Sequence, residues 1–61
     1  MDQLKILNTV MRDSATGFIG TVTAVVFYAK QDPRALLEAL DKNGRPVDLW
    51  TELARLEDVE S

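Results

Sequence analysis

The stretch Arg34-Ala35-Leu36-Leu37-Glu38-Ala39-Leu40-Asp41-Lys42-Asn43-Gly44-Arg45-Pro46 carries two contradictory signals, and the fold turns on which one wins. Its first half is built of good helix formers. Asp32 stands where an N-cap belongs, Pro33 at the first helical position, and Gly44 where a helix would stop. Its second half is hairpin chemistry, because Asn43-Gly44 supplies the positive φ values that a type I′ turn requires. A hairpin demands a strand on each side, over 35–41 and 47–50. A helix of about ten residues is also marginal in water without tertiary packing. Propensity says helix over 33–42; the turn says hairpin.

Outward from this stretch the signals are clearer. Phe18 to Tyr28 is rich in Thr, Val, Ile and aromatic residues, which suit a pleated, packed surface. Strand alternation puts Phe18, Gly20, Val22, Ala24, Val26 and Tyr28 on one face and Ile19, Thr21, Thr23, Val25 and Phe27 on the other. Gly20 inside the run predicts a bend or a bulge. Asp13-Ser14-Ala15-Thr16-Gly17 is turn chemistry, since Asp and Ser bond locally to backbone and Gly permits positive φ. Residues 4–12 read as a first strand. Val47 to Val59 reads two ways: as a helix capped by Asp48, or as a strand over 47–50, one helical turn over 51–54 and a closing strand over 55–59.

Together these pieces resemble a group of small bacterial and phage-encoded proteins with an SH3-like or Tudor-like barrel. The residues that carry the resemblance are Arg12-Asp13, Thr16-Gly17-Phe18 with Gly20, Thr23-Ala24, Tyr28, the Asp41-to-Pro46 turn, Trp50 and Arg55-Leu56-Glu57. They span about residues 10–58. The resemblance implies an all-β fold for residues 1–61 as one SH3-like domain, with about five short strands and at most a helical turn near 51–54. It makes 34–40 a strand against its own propensity. The alternative is α+β, a β-hairpin plus two short helices. The group is mostly uncharacterised, so the resemblance implies a fold and a phage-related setting but no site.

Composition excludes much chemistry. The chain has 61 residues, no cysteine and no histidine, which removes disulfides, thiolate zinc sites, thiol nucleophiles and imidazole bases together. Net charge is −3, with residues 48–61 at −4 and residues 1–47 at +1. The six basic side chains of that first part are scattered rather than gathered into a stripe, so nucleic acid is not expected as a partner. The longest apolar run, Ala24 to Ala29, is far short of the roughly 20 residues a membrane-spanning helix needs. The start Met1-Asp2-Gln3-Leu4-Lys5 lacks a signal-peptide pattern, and a bacterial cytoplasmic or virion location is expected.

No enzyme signature emerges. Gly17-Phe18-Ile19-Gly20 lacks the Lys-Ser/Thr of a phosphate-binding loop, and Ser14 and Thr16 have no histidine to activate them. Asp48 with Glu52, and Glu57 with Asp58, are carboxylate pairs without metal-ligand spacing, so neither a metal nor another cofactor is expected. Arg12 with Asp13 or Glu57 reads as an ion pair tying the first and last strands together, worth about 0–1 kcal/mol at a surface. Trp50, the sole tryptophan, has two readings: an anchor of the core, or one wall of a peptide groove with Tyr28. The core reading is preferred, because so few aromatics leave a small domain needing its largest one inside.

If Val22, Ala24, Val26 and Tyr28 fill the barrel, then Ile19, Val25 and Phe27 point outward as an interface, unless Leu4 and Ile6 or a loop cover them. The expected role is a non-enzymatic interaction or structural module, phage- or prophage-related. It would act in virion assembly or as an accessory protein, through docking or as a homo-oligomer. The alternative is a small phage inhibitor or adaptor that binds a host protein.

Overall fold

The structure is a computed structural model that describes residues 3–59. It is all-β, with five strands: β1 (Val10–Asp13), β2 (Ile19–Val26), β3 (Arg34–Leu40), β4 (Pro46–Glu52) and β5 (Leu56–Asp58). Single 3-10 turns cover Gln3–Ile6 and Leu53–Arg55. All strands pair antiparallel in one sheet of order β4-β3-β2-β1-β5. Among the described residues no helix is long and apolar enough to cross a membrane.

The hairpin signal wins. All seven residues of β3 pair with β4, from Arg34↔Glu52 to Leu40↔Pro46, and alternation buries Ala35 and Leu37 completely. An isolated helix over the same residues would satisfy only its own backbone and would have nothing to bury its apolar stripe against. The turn itself differs from the expected type I′. Gly44 has φ +81°, whereas Asn43 stays out of the left-handed region. Gly44 N donates to Asp41 O and Asp41 N donates to Arg45 O, both at 2.9 Å. This is a three-residue hairpin loop, a turn of type I geometry followed by a left-handed glycine. Asp41 organises it, since its Oδ1 accepts from Asn43 N at 2.8 Å and Arg45 N at 2.9 Å.

The core is Val22, Ala35 and Leu37, all fully buried, with Ile6, Met11, Phe18, Val25, Leu53 and Leu56 packed around it. Val25 corrects the face assignment. Val22 pairs with Leu37 and Ala24 with Leu36, so Thr23 is an extra residue and β2 is bulged there. The bulge reverses the alternation. Before it Gly20 and Val22 face inward; after it Val25, opposite Ala35, does so, while Ala24 and Val26 turn outward. Val25 is therefore a core-side residue, and Ala24, Val26 and Tyr28 do not fill the interior.

Gly20 is not the bulge, yet it is indispensable in another way. A Cβ there would lie 2.8 Å from the Glu38 carbonyl oxygen, so β2 and β3 approach at a distance only glycine permits. Trp50 is the second correction. It is 45% exposed on the outer face of β4, and the interior is closed by smaller side chains. The first strand is also shorter than expected: it begins at Val10, and Ile6 sits in the 3-10 turn packed on the core. The side chain of Leu4 lies outside the described residues. β4 runs on to Glu52, so the helical turn falls at Leu53–Arg55 rather than 51–54.

Candidate functional site

The Asp13–Gly17 turn builds the most polar feature of the interior. Gly17 N donates to Asp13 O at 2.8 Å, which folds the chain back so that Thr16 meets the Asp13 carboxylate. Thr16 N and Thr16 Oγ1 donate to Asp13 Oδ2 at 2.9 and 2.7 Å. Thr51 Oγ1 reaches Asp13 Oδ1 at 2.6 Å, and Arg55 grips both oxygens, Nε to Oδ1 at 3.0 Å and Nη2 to Oδ2 at 2.9 Å. Asp13 and Thr51 are both buried. The Arg55 guanidinium, with the Thr51 hydroxyl next and Thr16 after, holds the Asp13 carboxyl well below its ordinary range, although burial opposes them. Arg55 is raised in turn by Asp13. Five donor contacts leave this carboxylate no free direction toward a substrate proton.

The Arg12–Glu57 ion pair forms on the outside at 2.7 Å, across the β1–β5 ladder. Of the two acids offered to Arg12 by the sequence, Glu57 takes it, and Asp13 goes to Arg55. A groove of about 400 Å³ lies beside this ladder, lined by Thr9, Val10, Asp58 and Val59. Its threonine hydroxyl is spent on Ile6 O at 2.5 Å, so no pair of polar groups converges on the groove.

The outer face of β2, β3 and β4 has a different character. Register places Trp50, Leu36 and Ala24 side by side across three strands. The next row toward the Asp41 turn sets Asp48 directly opposite Glu38, two carboxylates facing each other on an exposed surface. Thr23 Oγ1 donates to Glu38 Oε2 at 2.7 Å and orients it. On the other side of Trp50 stands Glu52, opposite Arg34. Among the described residues the side-chain ion pairs are Arg12–Glu57 and Arg55–Asp13, and neither involves Glu38, Asp48 or Glu52.

The residues singled out from sequence fall in separate places. Ile19 is exposed at 45% on the outer face opposite Arg12, and Phe27 at 55% just beyond the end of β2. Val25 faces the core between them, so the three do not make one continuous patch. Tyr28 and Trp50 are both exposed, but β3 separates them across the sheet and Tyr28 lies four residues beyond Ala24 along the chain. They do not form one wall. The row Trp50–Leu36–Ala24 escaped the sequence reading because it depends on the bulge. The Asp13–Thr51–Arg55 cluster escaped because its members are 38 and 42 residues apart.

Comparison with protein-family models, with curated proteins and with solved structures finds no match to this chain.

Proposed function

We propose that the protein is a non-enzymatic interaction module that docks a protein partner on the outer face of β2–β4. The observation that carries this reading is the sole tryptophan, 45% exposed and aligned with Leu36 and Ala24 on an open sheet face. Large aromatic side chains on a rigid sheet are the usual anchors of interfaces, and the core here does not use Trp50. The fully engaged Asp13 supports a structural rather than catalytic role for the buried polar cluster. The sequence resemblance favours a phage- or prophage-related setting, as an accessory or virion assembly component in the bacterial cytoplasm or the particle. A host-protein inhibitor is the alternative role for the same face. Cross-linking in infected cells tests the reading: wild type should capture a protein that Trp50→Ala fails to capture, and equal capture by both overturns it.

Self-association is a second reading, favoured by the exposure of Ile19 and Phe27 away from the acidic row. Light scattering separates the two. A protein that assembles with rising concentration, and stops when Phe27 becomes Glu while Trp50→Ala has no effect, is a homo-oligomer.

A further inference from the structure

We infer that the docking face takes a basic, aliphatic-containing segment of a protein partner, with a Lys or Arg side chain lying over Trp50. This rests on the docking reading and adds the chemistry of the ligand. Trp50 is flanked on its own strand by Asp48 and Glu52, each two residues away and therefore on the same face, about 7 Å along the strand. Leu36 stands opposite the indole, and Glu38 stands opposite Asp48. Directly opposed like charges destabilise a sheet; among the described residues neither acid of this pair forms an ion pair, and Arg34 on the same face stands opposite Glu52 instead. A guanidinium or ammonium over the indole is attracted to the ring face and to the neighbouring carboxylates at once.

Charge complementarity decides among occupants. The face carries Glu38, Asp48 and Glu52 against Arg34, so a second copy would bring net negative charge against net negative charge. A nucleic-acid backbone or an anionic membrane surface is repelled for the same reason. A purely apolar segment would strip water from the carboxylates and return nothing. An extended segment that carries a basic and an aliphatic residue two positions apart presents both from one side, the cation to the acids and the aliphatic group to Leu36 and Ala24.

Trp50 is the only tryptophan, so its fluorescence reads this face directly. The probes are three short capped peptides in which Leu and a variable residue (Arg, Gln or Glu) stand two positions apart with Ser between them, titrated into the full chain. The Arg peptide should give a saturable change that weakens with added salt and weakens at least about tenfold in the Glu38→Gln, Asp48→Asn double variant. That variant relieves the opposed charges, so its melting temperature should hold or rise, which separates lost binding from lost fold. Equal binding of the Gln peptide overturns the cation while leaving the docking face standing. Silence toward all three peptides overturns the proposal, and the cross-linking comparison then decides separately whether the face docks anything.

Discussion

Thr51 Oγ1 donates to Asp13 Oδ1 at 2.6 Å although β2 and β3 separate their strands in the sheet. Two strands that are not neighbours in the ladder meet only if the sheet curls until its ends converge. The Asp13 carboxylate is the clasp at that meeting, with Arg55 of the following 3-10 turn completing it. Ser14 N donating to Arg55 O at 2.8 Å and Leu53 N donating to Pro33 O at 3.1 Å hold the same region by backbone alone.

Replacing Asp13 by Ala should therefore cost about 2–3 kcal/mol, because the Thr51 hydroxyl is left buried without its partner. That is a large share of a small domain's stability. Urea denaturation followed by circular dichroism measures it. The pair Asp13→Ala with Thr51→Val should cost less than the sum of the two singles, since removing both partners leaves no orphaned group.

Stability should also fall on the acid side in a predictable window. Asp13 is held below its ordinary value of 3.8, so as pH drops the unfolded chain takes up this proton before the folded one. The contribution is complete above about pH 5 and is lost progressively as pH falls below that. Melting temperatures measured from pH 7 downward should show this limb, and Asp13→Asn should flatten it. An unchanged acid limb in Asp13→Asn would remove the clasp from the account.

Gly20→Ala should be disruptive despite being a single methyl. The added carbon meets the Glu38 backbone at 2.8 Å, and a ladder cannot yield there without separating β2 from β3. A loss of more than about 2 kcal/mol is expected, at the upper end for a substitution of this size. Thermal denaturation of this variant beside wild type measures the loss.

Val25→Lys and Phe27→Glu should behave oppositely. Val25 packs toward Val22, Ala35 and Leu37, so a lysine there buries an unpaired charge and unfolds the domain. Phe27 is 55% exposed, and its replacement should leave the far-UV spectrum intact. If both variants fold equally well, the bulge at Thr23 does not reverse the strand.

Trp50→Ala should fold. With the indole half exposed and its contact made across the sheet to Leu36, the expected cost is about 1 kcal/mol, far from the 3–5 of a buried tryptophan. A chemical melt showing complete unfolding of this variant in buffer would return Trp50 to the core.

Arg34–Leu40, helix-prone by itself, became a strand by pairing with β2 and β4, whereas local chemistry determined the β-rich run Phe18 to Tyr28 and the Asp13–Gly17 and Asp41–Arg45 turns. Those are interactions between residues a few positions apart, and residue type alone expresses them. Which face each side chain took was decided elsewhere. One extra residue at Thr23 moved Val25 inward and Ala24 outward, because a sheet of period two inverts when its register slips by one. The bulge exists only in the register of β2 against β3, a pairing between separate strands that no local stretch encodes. Trp50 stayed outside for a related reason. The curled sheet closes on Thr51 and Asp13, and alternation along β4 then leaves residue 50 facing out.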